Sequence, residues 1–352
     1  MPGAQSSSLC TIALIIVARN AEQHLAALLA AVEAQTYAKN FVELILVDSC
    51  STDATPLLFA GISEAGWLRV LRLRNEELSL AAGWNLAIRN SLSGVLVRLD
   101  AHALPQPDLL ERLAWHVMQG ESIVGGRVEC VGGEDRLSRS IVCLETSQLG
   151  AAPAAFRRAG IPRYVDTVAY AAYRREVFEA VGLFIPSLSR NQDNEFHARC
   201  RKAGFRFLLD PSITVTYRPR SRLWPYLVQK ASNGFWLSRA LYQDRGSCRP
   251  RHLAPAALVA VLVGLSVFQW QAALLLILIH ISVLFLSLRA PKSRLAIGDR
   301  CSSSLLGALI HYAYGAGTIV GFLTLPAYVL NGLSKPSGHR IEFLATGKRQ
   351  QV

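Results

Sequence analysis

The sequence predicts an α/β domain with a mostly parallel sheet, followed by C-terminal transmembrane α-helices. Through residue 220, short apolar runs alternate with amphipathic stretches, which is typical of an α/β domain. Of the 352 residues, 51% are hydrophobic and 18% are charged, a composition too apolar for an ordinary soluble domain. The segment 253–288 contains no Lys, Arg, Asp or Glu. We therefore expect a polar domain over residues 1–245, a membrane domain over 246–335 and a basic tail over 336–352.

Four strands are predicted in the first 100 residues, each from a short aliphatic run: 12–18, 44–48, 68–73 and 95–100. The first run lacks a basic n-region and leads into polar residues, so we expect a strand rather than a signal peptide. Apolar residues at helical spacing predict a helix between the first two strands, namely Leu25, Leu28, Leu29 and Val32. Similar stripes in 81–91 and 107–118 predict two further crossover helices.

The charge-free segment is too long for one membrane span. As a single helix it would extend ~54 Å, whereas the hydrocarbon core is about 30 Å thick. Gln269, Trp270 and Gln271 form a polar and aromatic cluster suited to a break at the membrane interface. We therefore expect spans at 253–268 and 272–288, and a third apolar segment at 305–330.

Basic residues flank the first two spans, with Arg239, Arg245, Arg249 and Arg251 before them and Arg289, Lys292, Arg294 and Arg300 after them. The positive-inside rule then places the N-terminal domain in the cytoplasm, at a plasma or bacterial inner membrane. A third crossing would carry the basic tail outside, against the same rule. The sequence leaves open whether 305–330 spans or re-enters.

The net charge of +12 suits an anionic membrane surface or phosphorylated ligands. The apolar segments favour the membrane over a nucleic acid, and we expect no nucleic-acid partner.

Asp48 stands at the end of the second predicted strand. Ligands of open α/β sheets lie beyond the carboxyl ends of strands, so Asp48 is placed to meet one. A structural role is the alternative, in which Asp48 caps the next helix and Ser51, Thr52 and Asp53 form a turn. Taken alone, the pattern favours the structural role.

Asp100 and His102 follow the fourth predicted strand. We expect both to belong to one extended segment, in which their spacing of two puts them on the same side. One carboxylate and one imidazole can hold Mg²⁺ or Mn²⁺ against a diphosphate. A solvated turn is the alternative reading for this pair alone.

Four motifs in chain order carry a resemblance to a known family. They are Arg19-Asn20, VDSCSTDAT at 47–55, Asn75 followed by AAGWNLA at 81–87, and RLDAHALPQPDLL at 98–110. Together they resemble glycosyltransferase family 2, whose members bind nucleotide sugars with the GT-A fold. The D-A-H-A form of the usual D-x-D motif is similar to a subgroup of succinoglycan glucosyltransferases. Further matches to that subgroup lie at 164–168, 173–178, 190–195 and 217–220, so the resemblance covers roughly residues 9–245.

The resemblance implies a role for each candidate residue. Asp193 matches the general base, which on composition alone would be a surface helix charge. A base that deprotonates the acceptor hydroxyl opposite the departing diphosphate implies inversion at the anomeric carbon. The other implied roles are the nucleotide pocket for Ala18, Arg19 and Asn20, base recognition for Asp48, donor binding for Asn85, and diphosphate and metal (Mg²⁺ or Mn²⁺) binding for Asp100 with His102.

Two departures from the family pattern concern the nucleotide side. The usual Asn-Glu pair is Asn20-Ala21 here, unless Glu22 substitutes, and the acidic or glycine pair after Asp48 is replaced by Ser-Cys. The Gln-x-x-Arg-Trp motif of processive members is also missing after Gln229, which favours addition of a single sugar.

The resemblance implies transfer of one sugar, glucose from UDP-glucose, to a membrane-bound polyprenyl-pyrophosphate-linked glycan in polysaccharide biosynthesis. Two alternatives remain open from the sequence. One is transfer to polyprenyl phosphate itself. The other is a catalytically silent membrane scaffold that retains the fold.

Overall fold

The computed structural model describes residues 9–150, 155–157, 160–288 and 296–332. The strands within these ranges are β1 (Ile12–Ala18), β2 (Val42–Asp48), β3 (Arg69–Arg74), β4 (Val95–Asp100), β5 (Ala103–Pro105), β6 (Ile123–Cys130), β7 (Arg163–Val165), β8 (Ala169–Arg174) and β9 (Phe207–Tyr217). The α-helices are α1 (Glu22–Glu33), α2 (Thr55–Ala60), α3 (Leu80–Asn90), α4 (Leu109–Met118), α5 (Arg136–Thr146), α6 (Arg175–Val181), α7 (Gln192–Lys202), α8 (Leu223–Gln243), α9 (Ala254–Phe268), α10 (Trp270–Ser287), α11 (Ile297–Leu323) and α12 (Leu325–Leu330). Short 3₁₀ turns lie at Lys39–Phe41, Ala155–Arg157, Arg245–Ser247 and Pro250–His252.

The strands form one sheet in the order β3-β2-β1-β4-β8-β6-β9-β5, and β7 pairs with β9 off this path. Strands β1 to β4 are parallel to one another, and β6 is parallel to β9. Strand β8 is antiparallel to both of its neighbours, and β5 and β7 are antiparallel to β9. The sheet is therefore mixed, and the prediction of a mostly parallel sheet holds only for its first four strands. Strand direction depends on how a connection returns to the sheet, which the apolar pattern of a strand does not encode.

The predicted N-terminal elements are confirmed with small shifts. Strands β1 and β4 have the predicted bounds, β2 begins two residues earlier at Val42, and β3 is displaced by one residue. Alternate residues of β1 enter two cores on opposite faces of the sheet, so that Leu14 and Ile16 pack on one face and Ile15 on the other. Burial of each such side chain contributes roughly 1.5–3 kcal/mol, which explains why these local patterns are reliable.

The apolar segment after residue 250 breaks where the sequence predicts. Helix α9 ends at Phe268, Gln269 leaves the helical region with φ −150°, and α10 begins at Trp270. The third predicted segment, 305–330, is instead two helices. Helix α11 begins eight residues earlier, at Ile297, and in its first turn Asp299 accepts from Arg139 of α5 with both carboxylate oxygens. It ends at Leu323, where Pro326 at the start of α12 interrupts the backbone hydrogen bonds.

Two described helices, α10 and α11, have the length and hydropathy needed to cross a membrane, whereas α9 is apolar but has only 15 residues. They differ in exposure, since 11% of the apolar window is buried in α10 and 39% in α11. The flanking Arg289, Lys292 and Arg294 and the basic tail lie outside the described residues. The side on which the tail lies and the boundary at residue 245 stay predictions.

Candidate active site

Three candidate residues meet at the carboxyl edge of the parallel strands. In the register of the sheet, Ala18 of β1 pairs with Asp48 of β2, and Val17 pairs with Asp100 of β4. The ends of β1, β2 and β4 therefore lie side by side. This edge is where ligands of α/β sheets bind, so the predicted nucleotide and diphosphate residues converge on one place.

The loops after β1 and β2 are locked together around Asn20. Its backbone N–H donates to Ser51 Oγ at 2.9 Å, and its Oδ1 accepts from the N–H of Thr52 at 2.8 Å. Asn20 has φ 50°, a left-handed conformation that asparagine tolerates better than most residues. Arg19 is exposed beside this junction. Asn20 thus shapes the rim of the predicted nucleotide pocket with its own side chain.

Glu22 also belongs to this junction. Its Oε2 accepts from the N–H of Ala54 at 2.9 Å, and its own N–H donates to Asp53 Oδ2 at 3.1 Å. The side chain of Glu22 therefore links α1 to the turn before α2. Its visible role is to hold the two loops together.

The structure shows the structural role of Asp48, and its contact with a ligand stays a prediction. Its two carboxylate oxygens accept from the N–H of Ser51 at 3.2 and 3.3 Å, which forms the expected turn. The carbonyl of Asp48 accepts from the N–H of Asn75 at 2.8 Å, and the amide of Asn75 donates to Ser49 Oγ at 2.9 Å. One backbone donor leaves further lone pairs on the carboxylate. Asp48 is thus oriented by the turn while it stays at the sheet edge.

Asp100 and His102 are not parts of one extended segment, so the prediction that alternation puts them on the same side was wrong. Strand β4 ends at Asp100, and Ala101 and His102 form a turn. The turn is required because Ala103 already pairs with Tyr217 of β9. His102 nevertheless lies near the carboxylate, with its ring against Tyr217 at 5.3 Å between centroids. Burial raises the pKa of Asp100, while the nearby charges of His102 and Arg98 oppose that rise.

The structure gives two candidate ligands for a divalent cation at this edge, and binding of the cation stays a prediction. Within the described residues the carboxylate of Asp100 accepts no hydrogen bond, and an ionised carboxylate in a desolvated place is costly without a partner. In the same part of the chain no group of three or more His, Cys, Asp or Glu side chains could hold a metal ion. Asp100 and His102 would therefore supply two ligands, and oxygens of a bound diphosphate and water would complete the shell of Mg²⁺ or Mn²⁺.

Asp193 lies in the first turn of α7 and faces the same edge. Nη2 of Arg98 donates to its Oδ1 at 2.7 Å. The side chain of Arg98 is 5% exposed, whereas that of Asp193 is 45% exposed. Within the described residues Oδ2 of Asp193 has no hydrogen-bond partner. One oxygen of the carboxylate is therefore anchored and the other is open to solvent or to a substrate hydroxyl.

Arg98 joins the candidate site through Asp193, and the motifs in the sequence did not single it out. Its guanidinium carbon lies 3.8 Å from the ring centroid of Trp84 and 4.9 Å from that of Phe184. Burial works against the charge, but the ion pair with Asp193 raises the pKa of Arg98, so it stays protonated. The signal in the sequence was an arginine inside an otherwise aliphatic strand, where a charge is rarely buried without a partner.

Within the described residues Asn85 does not contact Asp193 or Arg98 by a hydrogen bond but lies behind Phe184, which packs against Arg98. Its Nδ2 donates to the carbonyl of Phe184 at 2.8 Å, and its Oδ1 accepts from the N–H of Phe184 at 3.0 Å. Asn85 is only 3% exposed. It fixes Phe184 beside Arg98, and direct contact of Asn85 with a donor stays a prediction.

Comparison with known proteins identifies the family of the segment that forms most of this sheet edge. Residues 13–182 match the family described as glycosyl transferase family 2. This segment belongs to glycosyltransferase family 2. The matched part of this family 2 domain includes Asp48, Asp100 and His102 and ends before Asp193.

Two relatives match most of the chain, including residues outside that segment. The chain is 25% identical over 313 residues to the succinoglycan biosynthesis protein ExoA of Rhizobium meliloti, covering 86% of this chain and 92% of that protein. It is 24% identical over 323 residues to the dolichyl N-acetyl-alpha-D-glucosaminyl phosphate 3-beta-D-2,3-diacetamido-2,3-dideoxy-beta-D-glucuronosyltransferase of Methanococcus voltae, covering 88% and 98%.

Solved structures support the GT-A fold with its mixed sheet. The mannosyltransferase PcManGT from Pyrobaculum calidifontis, in complex with GDP-Man and Mn²⁺, has a TM-score of 0.50 at 17% identity and covers 92% of this chain and 76% of its own. Residues 1–349 of TarS from S. aureus give a TM-score of 0.51 at 14% identity, with 92% of both chains covered. At these identities the likeness concerns the fold alone.

Proposed function

We propose that the family 2 domain transfers a single sugar from a nucleotide-sugar donor to a lipid-linked glycan acceptor. One observation carries this proposal. Arg98 and Asp100 are two residues apart on β4, so their side chains leave the same side of the strand. Because Arg98 holds Asp193 by a hydrogen bond, it brings the proposed base to the side where Asp100 would meet the diphosphate.

The proposed step is a direct displacement. The acceptor hydroxyl donates its hydrogen bond to the open Oδ2 of Asp193, which takes the proton as the hydroxyl oxygen attacks the anomeric carbon. A new C–O bond forms as the bond to the nucleoside diphosphate breaks, and the electron pair leaves with the diphosphate. Attack opposite the leaving group inverts the configuration, so an α-linked donor gives a β-linked product.

The two carboxylates of the site have different proposed roles. Asp100 and His102 would hold Mg²⁺ or Mn²⁺, which when bound would neutralise the negative charge of the diphosphate. The hydrogen bond from Arg98 fixes Oδ1 of Asp193, so Oδ2 is the oxygen left to accept the proton in the proposed step.

The names of the relatives support a lipid-linked glycan acceptor. One is named for succinoglycan biosynthesis and the other as a glycosyltransferase acting on a dolichyl-linked sugar phosphate. On the motif resemblance we take UDP-glucose as the donor and a polyprenyl-pyrophosphate-linked glycan as the acceptor. The apolar helices α10 and α11 support membrane attachment, and the basic flanks support a cytoplasmic catalytic domain at a plasma or bacterial inner membrane.

The first experiment is transfer by the full-length protein with a panel of nucleotide sugars, Mg²⁺ or Mn²⁺, and lipid extract. Loss of a general base typically lowers a rate by 10²–10⁴-fold, and we expect Asp193→Asn to lower kcat by roughly this factor with UDP-glucose. Asp108→Asn is the control. Asp108 also pairs with an arginine, Arg112, but on the surface of α4, so this variant should keep the wild-type rate.

Each other outcome has a distinct meaning. Equal rates for wild type and Asp193→Asn would show that Asp193 is not the base. A product that contains one sugar and one lipid phosphate would replace the glycan acceptor by polyprenyl phosphate. No transfer with any donor, metal or lipid extract would favour the silent scaffold.

A further inference from the structure

A cavity of about 590 Å³ lies where the N-terminal domain meets the apolar helices. Its walls include Leu149 and Gly150 after α5, Arg251 and His252 before α9, and residues of α9, α10 and α11. This volume is within the range of sites that bind small molecules. The cavity is therefore large enough for a ligand that contacts both the polar linker and the apolar helices.

Helix α8 separates this cavity from the candidate active site. On one side, Gly234 of α8 lies against the backbone of Tyr314, a residue of the cavity wall. On the other side, the carbonyl of Asn233 accepts a hydrogen bond at 3.0 Å from the side chain of Asn191, which precedes α7. A helix with its side chains is about 10 Å across. A ligand in the cavity is thus distinct from a substrate beside Asp193.

In the part of the chain that the structure describes, three residues of the cavity wall have side-chain donors without a partner. Burial, and then the charges of Arg251 and Arg249, lower the pKa of His252, so its ring is neutral. Its Nδ1 accepts from the N–H of Arg249 at 3.0 Å, which assigns the proton to Nε2. Within the described residues this Nε2–H, the hydroxyl of Tyr314 and the guanidinium of Arg251 have no hydrogen-bond or ion-pair partner, and no carboxylate lines the cavity.

The remaining histidines of the wall are already paired. Nε2 of His280 lies 3.1 Å from Nδ1 of His311, and Nδ1 of His280 lies 3.1 Å from the hydroxyl of Tyr312. These contacts join α10 to α11 and form part of the wall. Leu149 and Leu258 add apolar surface. The cavity thus combines one cation, Arg251, and two neutral donors with an apolar lining, and α9 beside it is largely exposed.

We propose that this cavity binds an anionic phospholipid, with the phosphate held by Arg251, His252 and Tyr314 and the first part of the acyl chains along the apolar wall. Charge complementarity favours this occupant, because basic pockets beside membrane helices on the cytoplasmic side bind anionic headgroups. The inference rests on the proposed membrane attachment and not on the proposed sugar transfer. The lipid would join the linker before α9 to α11 and so fix the domain on the membrane.

The test is lipid binding by the full-length protein in a neutral detergent, measured by native mass spectrometry. We expect phosphatidylglycerol to bind more tightly than phosphatidylcholine of the same chain length. Because hydrogen bonds to a charged group are strong, Arg251→Gln should weaken phosphatidylglycerol binding about tenfold or more, and Tyr314→Phe by a smaller factor. Arg245→Gln is the matched control, since Arg245 is an exposed arginine of the same linker outside the cavity wall.

Four results would overturn the proposal. Equal binding of both lipids, or unchanged binding by Arg251→Gln, would show that the cavity does not select a charge. Binding of inorganic phosphate as tight as that of phosphatidylglycerol would make the cavity a site for free phosphate. Binding of polyprenyl phosphate without binding of phosphatidylglycerol would make it a site for a carrier lipid. Transfer assayed on the same samples separates this result from failure of the proposed enzymatic activity.

Discussion

Arg98 occupies a position of β4 where the aliphatic pattern requires an apolar side chain. A buried guanidinium is costly, and its contacts with Asp193, Trp84 and Phe184 offset that cost. The same contacts orient the proposed base, because Asn85 holds Phe184 from behind. At the scale of single residues, Asn85 holds Phe184, Phe184 packs against Arg98, and Arg98 binds Oδ1 of Asp193. These contacts together orient the carboxylate of Asp193.

Asp100 should make the metal-free protein less stable. Burial raises its pKa, so the folded state binds a proton more tightly than the unfolded state does. The cost to stability is then present above that raised pKa and disappears as the pH falls below it. We expect Asp100→Asn to raise the midpoint of thermal unfolding by a few degrees in EDTA near neutral pH, with a smaller gain in acid.

Addition of Mn²⁺ provides the complementary measurement. It should raise the unfolding midpoint of the wild type and leave that of Asp100→Asn unchanged, since a ligand that binds only the folded state stabilises it. Asp108→Asn serves as the control. Its pKa is lowered by the hydrogen bond from Arg112, so removal of that charge should give no gain in stability. A loss of stability in Asp100→Asn without metal would show that the carboxylate has a favourable partner in the folded protein.

At the scale of elements, α11 differs most from the predicted membrane segment, because 39% of its apolar window is buried inside the protein. It packs along α8, where Gly317 and Gly321 lie directly against the carbonyls of Ala231 and Phe235. It also contacts α5, and Leu306 and Ile310 share a small buried core with Ile141 of that helix. Small residues allow such close approach of helix backbones. One side of α11 therefore packs against the N-terminal domain.

Gly317→Leu should disrupt this contact. A Cβ at Gly317 would overlap the backbone of Ala231, so α8 and α11 would have to separate. Overpacking of this kind costs roughly 1–3 kcal/mol or more, and we expect the unfolding midpoint in detergent to fall by several degrees. Gly264→Leu is the matched control, because a Cβ at Gly264 of α9 meets no atom within 4 Å. Equal midpoints for the two variants would show that α8 and α11 are not packed closely.

At the scale of the whole molecule, a polar network also joins the helices beside the site. Glu145 of α5 is 2% exposed and accepts from Tyr226 and Lys230 of α8 at 2.6 and 2.5 Å. Nη2 of Arg157 lies 3.2 Å from its other carboxylate oxygen. The two cations and the hydroxyl compensate the buried carboxylate. Helices α5 and α8 thus form a platform on which α11 lies.

The fragment 9–252 should therefore fold poorly on its own. Removal of α11 would expose the apolar residues that Leu306 and Ile310 cover, including Ile141 and Leu144. We expect this fragment to aggregate, or to unfold at a midpoint at least several degrees below that of the full chain in the same detergent. Size-exclusion chromatography and thermal unfolding would measure both. A monomeric fragment with the full-length midpoint would support the predicted boundary at residue 245 as a domain boundary.

The sequence by itself determined the elements with short, strong patterns and the residues at their ends. The bounds of β1 and β4, the buried stripe of α1 and the break at Gln269 follow from residues close together in the chain. Asp48 and Asp100 were recognised because polar residues that end buried strands must lie at a sheet edge. The wrong inference about His102 arose because the turn after Asp100 depends on pairing with β9, more than 100 residues away.

Only the tertiary structure decided how distant residues meet. The hydrogen bond between Arg98 and Asp193 joins positions 95 apart in the chain, and the direction of β8 depends on its returning connection. The docking of α11 on α8 likewise needs two glycines to meet two particular carbonyls. Local propensity and apolar periodicity act over a few residues, whereas these contacts depend on the packing of the whole chain.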